Sequence, residues 1–351
     1  MLRGAGAAAA GLALGPRSLL ARAAAGALAS DRILVEAFLR GGADGLSLCA
    51  PYAEPEYYAA RPTIALPRPR QAGGDSLLDL DGHFGLHPDL APLLPLWEAG
   101  RFAVLQAAGC RGLSRSHFDA QEFVETGTPG VKGTPTGWLD RCLARGDRHT
   151  VTSAVAFSPL LPRSFLGPEP VLVSQDLARF DFEAPGWREE AERALRRLYE
   201  RDKGPMGRTG IAALDAIAVL KRNPRLREEP ANGAVYPEGF TGTAFRQAAG
   251  VVKAELGTRC IFIDVAGDFD THANQLFQNR KDYRELAAAL AAFDRDLGRA
   301  MDRVVVLVTT EFGRTLAEGS GGTDHGSGGV MLLLGGPVRG RRVHGSWAGL
   351  A

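Results

Sequence analysis

The clearest pattern in the chain is a series of short apolar runs that predict buried strands. They cover residues 33–39, 102–107, 261–265, 304–308 and 330–334, with shorter candidates at 152–157 and 171–173. Stretches with helical character alternate with them, at residues 88–99, 117–126, 187–202, 208–222, 242–255 and 282–301. Strands that are apolar on both faces and alternate with helices are typical of a parallel sheet. The pattern therefore predicts an α/β fold whose sheet is mostly parallel.

Polar side chains follow four of the predicted strands. In chain order these are Asp44, then Ser114 and Ser116, then Asp270 and His272, and finally Glu311. Since the carboxyl ends of parallel strands lie at one edge of a sheet, where ligands bind, we expect these side chains to meet there. Asp324 and His325 precede the last strand in a glycine-rich loop, which would have to fold back over the same edge.

These residues combine carboxylate oxygens with imidazole nitrogens, which are metal ligands. The candidate ligands are Asp44, Asp270, His272, Glu311, Asp324 and His325. This combination suits a divalent metal, with zinc as the first candidate and manganese, magnesium or calcium as alternatives. Each residue alone has an ordinary explanation as a turn or cap residue, but their shared position at strand ends favours the metal site.

The segment Ser114–Ser116 offers a different chemistry. Ser116 stands at the N-cap position of a predicted helix, where a hydroxyl beside a metal could act as a nucleophile, or could simply cap the helix. Ser114 is the alternative nucleophile, and Arg115 could bind a phosphate or sulfate oxygen. We therefore treat Ser114, Arg115 and Ser116 as candidate catalytic residues.

Composition and charge exclude some functions. The net charge of +1 argues against a nucleic-acid partner bound through phosphates, and 45% hydrophobic residues suffice for a sizeable core. The four cysteines include no C-x-x-C pair, which argues against a cysteine-bound zinc.

The N-terminus predicts export. Residues 4–15 are small and apolar, and Ala27-Leu28-Ala29 is a cleavage-type sequence. We interpret residues 1–29 as an export signal and residues 30–351 as one α/β domain, with an alanine-rich leader as the alternative for the former. The apolar stretch is too short to span a bilayer, so we expect no integral membrane span.

Several motifs together resemble a known family. The chain is similar to domain-of-unknown-function family 1501, over about residue 31 to the end, in the stretches Phe38–Leu46, Leu78–Gly82, Phe84–Pro88, Ser114–Gln121, Asp268–Gln275, Glu311–Thr315 and Gly322–Gly326. That family looks like a distant branch of the alkaline phosphatase and sulfatase superfamily. The resemblance implies a doubly wound, alkaline-phosphatase-like sandwich with helices on both faces of the sheet.

The resemblance also implies residue roles. Asp44 would be a metal aspartate after the first strand, and Ser116, or less readily Ser114, would be the nucleophile. Asp270, His272 and His325 would hold one metal, and Glu311 would be an acid of a second. The superfamily usually has Asp-His where this chain has Glu311-Phe312, which removes an imidazole that His117 or Asp324 could replace.

The expected function is an exported, periplasmic or extracellular, metal-dependent hydrolase. Its substrate would be a phosphate or sulfate ester, of a small molecule or a polymer, and the export machinery would be a partner of the signal. The resemblance further implies a twin-arginine signal truncated at its start and a domain that continues beyond Ala351. A non-catalytic extracytoplasmic binding or assembly protein is the alternative, and a transferase or mutase with the same covalent serine is a third reading.

Overall fold

The structure is a computed structural model that describes residues 31–70, 75–109, 114–146 and 150–350. The predicted export signal at residues 1–29 lies outside these described residues. The strands in chain order are β1 Ile33–Leu39, β2 Cys49–Ala50, β3 Leu78–Asp79, β4 Gly85–Leu86, β5 Phe102–Ala108, β6 Ala154–Phe157, β7 Leu172–Val173, β8 Cys260–Val265, β9 Val304–Thr310, β10 Arg314–Glu318, β11 Thr323–His325, β12 Gly329–Gly335 and β13 Val343–His344. The α-helices are α1 Gly45–Leu48, α2 Pro55–Ala60, α3 Leu94–Glu98, α4 His117–Thr126, α5 Trp138–Leu143, α6 Arg188–Arg201, α7 Pro205–Arg222, α8 Phe240–Lys253 and α9 Gln275–Leu297. Within the described parts of the chain, no helix has the length and apolar character needed to cross a bilayer.

The main sheet has eight strands in the order β13-β5-β12-β9-β1-β8-β6-β7. Strand β12 runs antiparallel to both of its neighbours, whereas the other pairings in this sheet are parallel. This confirms the predicted α/β architecture with a mostly parallel sheet. The direction of β12 also settles how the loop before it reaches the site: an antiparallel strand begins at the edge where its parallel neighbours end.

Apolar side chains cover both faces of the sheet. On β1, Val35 and Ala37 belong to one core cluster, whereas Leu34 and Phe38 belong to another on the opposite face. The first cluster includes side chains of α7, α8 and α9, and the second includes side chains of α5. Burial of a single side chain such as Phe38 contributes about 1.5–3 kcal/mol, so the two layers together fix the register of β1 between β8 and β9.

Two helices differ from their sequence predictions. Helix α9 begins at Gln275 rather than at residue 282, because Asn274 adopts a left-handed conformation and Gln275 is buried against other elements. The predicted helix at 88–99 is a 3-10 helix over Pro88–Leu93 followed by α3, and Pro92 inside it has no N–H to donate to a helical hydrogen bond. The earlier start of α9 brings Gln275 to the site edge.

Two small sheets lie apart from the main one. Strands β10 and β11 form an antiparallel hairpin, and β2, β4 and β3 form a short three-stranded sheet. The sequence patterns predict neither of them, because strands this short have too few residues to establish an alternation. The hairpin carries His325, one of the predicted metal ligands, as the last residue of β11.

Candidate metal centre

The predicted site residues lie at the edge where β1, β5, β8 and β9 end and where β12 begins. Asp44 follows β1, Glu311 follows β9 directly, and Asp270 follows β8. The loop from β5 leads into α4, which starts at His117. The expectation that these segments meet at one edge agrees with this topology.

Three imidazoles and one carboxylate converge at this edge. The Nε2 atom of His325 lies 3.2 Å from Nε2 of His117 and 3.1 Å from Nε2 of His272. The carboxylate of Asp270 completes the group, with Oδ1 2.9 Å from His272 Nε2 and 3.0 Å from His325 Nε2, and Oδ2 3.2 Å from His117 Nε2. We call these four residues the histidine cluster.

Two of the imidazoles are oriented by hydrogen bonds from their other nitrogen. His325 Nδ1 donates to the carbonyl oxygen of Arg115 over 2.7 Å, and His117 Nδ1 donates to Glu311 Oε1 over 2.8 Å. A carbonyl and an ionised carboxylate can only accept, so each Nδ1 carries a proton, and when the ring is neutral its Nε2 presents a lone pair to the cluster. Metal-binding histidines are typically held in this way.

Asp270 is held ionised by its neighbours. Burial opposes its ionisation, but hydrogen bonds from His325 and Arg314 outweigh burial and lower its pKa to about 2. The Arg314 side chain is fully buried and donates to Asp270 Oδ1 over 2.6 Å and to the carbonyl oxygens of Gly41 and Gly42. Arg314 therefore ties the turn after β1 to the cluster.

Glu311 is close to the cluster but directs its oxygens elsewhere. Its side chain is fully buried, and Oε1 accepts from His117 Nδ1, from the Gly41 backbone N–H at 2.9 Å and from Gln121 Nε2 at 3.0 Å. Burial opposes ionisation of Glu311, but these hydrogen bonds outweigh it and lower its pKa. The structure thus places Glu311 behind His117 rather than among the converging atoms.

Asp44 is also separate from the cluster. It is buried, and its oxygens accept from Arg61 Nη1 at 2.5 Å, Arg61 Nη2 at 3.1 Å, Ser47 Oγ at 2.7 Å and Gln275 Nε2 at 2.5 Å. Burial opposes ionisation of Asp44, but the guanidinium of Arg61 outweighs it and lowers the pKa. Asp44 therefore serves as the anionic partner of an internal arginine and as the N-cap of α1.

Asp324 lies at the exposed side of the cluster. Its Oδ1 accepts the backbone N–H of His325 at 2.7 Å and lies 3.9 Å from Nδ1 of His272. This hydrogen bond from the backbone N–H of His325 lowers the pKa of Asp324. Together with His272 and His325 it forms a second group of potential metal ligands, besides His117, Asp270 and His325.

The segment Ser114–Ser116 runs beside the cluster. Ser114 Oγ accepts the backbone N–H of Ser116 at 3.0 Å. Ser116 occupies the N-cap position of α4, yet its side chain makes no capping hydrogen bond and is exposed. The ordinary explanation of Ser116 as a helix cap therefore does not account for its hydroxyl.

Phe312 forms an apolar wall of the site. Its ring centroid lies 4.8 Å from that of His117 and 4.7 Å from that of His325. Gly42, at φ +69°, is adjacent, and a Cβ there would lie 2.2 Å from the Phe312 ring. Only glycine fits at this position, both for its left-handed backbone and for the space that Phe312 occupies.

The donor set fits a divalent metal. Neutral imidazole nitrogens and an ionised carboxylate are the ligands that zinc takes in proteins. Sequence reasoning considered His117 only as a substitute and did not anticipate Arg61, Arg314 or Gln121. The signal for His117 was present, since it follows Ser116 directly at the start of a predicted helix, beside the same sheet edge.

The chain is similar to one family model and, at a low TM-score, to one alkaline phosphatase structure. Residues 186–351 match the model of a family described as "Protein of unknown function (DUF1501)", which confirms the family resemblance over those residues. The structure is similar, with a TM-score of 0.33 and 10% identity, to the alkaline phosphatase from the Antarctic bacterium TAB5, over 86% of this chain and 90% of that one. No curated protein matches the chain.

Proposed function

Starting from the match to the DUF1501 family, we propose that this protein is an exported, metal-dependent hydrolase of phosphate or sulfate esters with Ser116 as nucleophile. One observation carries the proposal. The backbone carbonyl of Arg115 is bound to His325, and the imidazole of His117 lies in the histidine cluster. Ser116 is the residue between these two contacts, so its backbone is held next to the metal ligands.

The metal would be held by Asp270, His272 and His325, the residues that the family resemblance assigns to one ion. When bound, zinc would supply a Lewis acid that neutralises charge on the oxygens of the ester. The exposed guanidinium of Arg115 and the N-terminus of the ten-residue helix α4 add positive potential on the same side. An anionic ester is the substrate class that this charge distribution favours.

The proposed hydrolysis has two steps, with a covalent ester of Ser116 between them. Ser116 Oγ forms a bond to phosphorus or sulfur, the bond to the ester oxygen breaks, and the serine proton ends on the departing alcohol. Water then displaces Ser116 from the covalent ester, restoring the hydroxyl and releasing phosphate or sulfate. The protein's part is to hold the nucleophile and the anion in line.

The first test is turnover of aryl phosphates and aryl sulfates by zinc-loaded protein. We expect Ser116→Ala to lower kcat/KM by about 100-fold or more, because it removes the nucleophile, and Ser346→Ala, which replaces an exposed serine of another segment, to have no effect. Loss of activity in Ser114→Ala with retention in Ser116→Ala would assign the nucleophile to Ser114 instead. Transfer to an added alcohol in place of water would favour a transferase.

A non-catalytic binding protein is the second candidate. Phe312 favours it, because an apolar ring packs on two of the imidazoles where the resemblance expects a further ligand. Absence of turnover over a broad panel of phosphate and sulfate esters, with metal bound, would support this candidate and overturn the hydrolase.

Export has its own test. Expression of the full chain in a bacterial host with both general and twin-arginine export routes should yield protein outside the cytoplasm that begins at Ser30. A chain retained in the cytoplasm with residues 1–29 intact would contradict the predicted signal and the periplasmic or extracellular location.

A further inference from the structure

We propose that the histidine cluster binds a single metal ion through His117, His272, His325 and Asp270, and that Glu311 positions His117 instead of binding a second ion. This deepens the proposed function and rests on the same site. It differs from the assignment by resemblance, in which Asp44 and Glu311 belong to metal sites and His117 has no fixed role.

The first observation is the spacing of the donor atoms, which are three imidazole Nε2 atoms and the two oxygens of Asp270. Five distances among these atoms measure between 2.9 and 3.2 Å. Ligands at about 2.0–2.1 Å from a tetrahedral zinc lie about 3.3 Å from one another. At these five contacts, an expansion of a few tenths of an ångström would reach the spacing of ligands around one ion.

The orientation of the rings carries the second step. Nε2 of His117 and Nε2 of His325 lie 3.2 Å apart, while the Nδ1 atom of each ring donates to an oxygen that can only accept. In neutral rings this leaves two lone pairs directed at each other, which is unfavourable unless a cation lies between them. The adjacent carboxylate of Asp270 adds negative charge at the same point.

Three acidic residues, Asp44, Glu311 and Asp324, direct their oxygens to partner atoms outside the proposed ion site. Both oxygens of Asp44 are engaged by Arg61, whose guanidinium is fully buried and already supplies the compensating positive charge. Oε1 of Glu311 accepts three hydrogen bonds, from His117, Gly41 and Gln121. Asp324 lies beside Nδ1 of His272, whereas the ring presents Nε2 to the cluster.

A link between metal and nucleophile follows from this assignment. His117 is the first residue of α4 and comes directly after Ser116. A metal bound to His117 therefore anchors the start of α4, and Glu311 and Gln121 hold the ring from behind. Gln121 accepts in turn from Arg40 at 3.0 Å, so the ring is supported by side chains that do not contact the cluster.

Cobalt(II) is the probe for this proposal, because its visible absorption reports coordination without any catalysis. Titration of metal-free protein should saturate at one ion per chain, with the intense bands of a four-coordinate site. His117→Gln should weaken Co²⁺ binding by 100-fold or more and reduce the band intensity. Glu311→Gln should weaken binding by about 10–100-fold and keep the band pattern, because it frees the ring without removing a ligand.

Two matched variants complete the experiment. The surface changes Asp302→Asn and His344→Gln should leave Co²⁺ affinity unchanged within about threefold. Two ions per chain in the unaltered protein, or loss of one of two ions in Glu311→Gln, would overturn the proposal. Absence of any stoichiometric binding would overturn it as well and would leave a hydrogen-bonded cluster of protonated imidazoles.

Zinc K-edge absorption of the unaltered protein provides a readout that does not depend on how the variants fold. We expect about three imidazoles and one or more oxygens around zinc. Two imidazoles would exclude His117 as a ligand. Binding as proposed without ester turnover would overturn the hydrolase alone, so the two proposals fail separately.

Discussion

Arg61 and Asp44 form a fully buried ion pair, with Nη1 2.5 Å from Oδ2 and Nη2 3.1 Å from Oδ1. Arg61 also donates to the carbonyl oxygens of Thr315 and Leu316 on β10, so the pair joins the turn after β1 to the hairpin that carries His325. The aspartate that sequence placed among the metal ligands is thus bound to an internal cation.

Removal of either partner of this pair should be costly. We expect Asp44→Asn or Arg61→Met to lower the free energy of unfolding by about 3–5 kcal/mol, because each leaves a buried charge or polar group without its partner. The double variant should lose less than the sum. Urea unfolding measures all three, with Arg341→Met, from an exposed ion pair with Glu98, as the control expected to change stability by less than about 1 kcal/mol. Strictly additive losses would show that the two side chains do not stabilise each other.

Metal binding should stabilise the fold. Zinc at about 100 times its dissociation constant should raise the free energy of unfolding by about 2.7 kcal/mol over protein kept in a chelator. The gain should disappear in His325→Ala, because His325 Nε2 contacts the other three members of the cluster. Denaturant unfolding with zinc or with chelator decides this. Identical midpoints under both conditions would contradict a metal site at the cluster.

Gly42 should tolerate no side chain. Gly42→Ala places a methyl 2.2 Å from the Phe312 ring in a left-handed backbone, so we expect a loss of about 1–3 kcal/mol and weaker metal binding as Phe312 is pushed against His117 and His325. Phe312→Ala should partly restore metal affinity in the double variant. If Gly42→Ala leaves stability and zinc affinity intact, Phe312 has a free alternative position and does not constrain the cluster.

Glu36 should make stability fall with rising pH. It lies within β1, 1% exposed, and its Oε2 has no hydrogen-bond partner among the described residues. Burial, and after it repulsion from Glu125, raises its pKa from 4.5 to about 8. A raised pKa in the folded state means that the stabilising contribution is complete below pH 4.5 and is lost as the pH rises through about 8. Between these values the contribution declines by roughly 1.4 kcal/mol per pH unit.

Glu36→Gln isolates this effect because its side chain does not titrate. We expect the free energy of unfolding of the variant to lack this decline. Its stability relative to the unaltered protein should therefore increase steadily from pH 4.5 to 8. Parallel stability curves, measured by urea unfolding across this range, would show that Glu36 does not change its protonation state there.

The sequence determined the longer strands of the main sheet, most of the helices beside them and the strand ends that carry the candidate residues. Uniform apolar runs such as β9 can be satisfied only inside a covered sheet, so their positions follow from hydrophobicity alone. The segment holding Asp270 and His272 was predicted at this edge for the same reason.

Tertiary structure decided which of the polar side chains face one another. Asp44 and Glu311 occupy strand ends as regularly as Asp270 does, and no local pattern separates them. Asp44 pairs with Arg61, the residue directly after α2, and Glu311 pairs with His117 on α4. The direction of β12 likewise depends on pairing with β5 and β9, which the apolar pattern of the strand does not encode. Strand ends follow from local hydrophobic periodicity, whereas the choice of partner for each charge depends on contacts between distant segments, such as the 194 positions that separate His117 from Glu311.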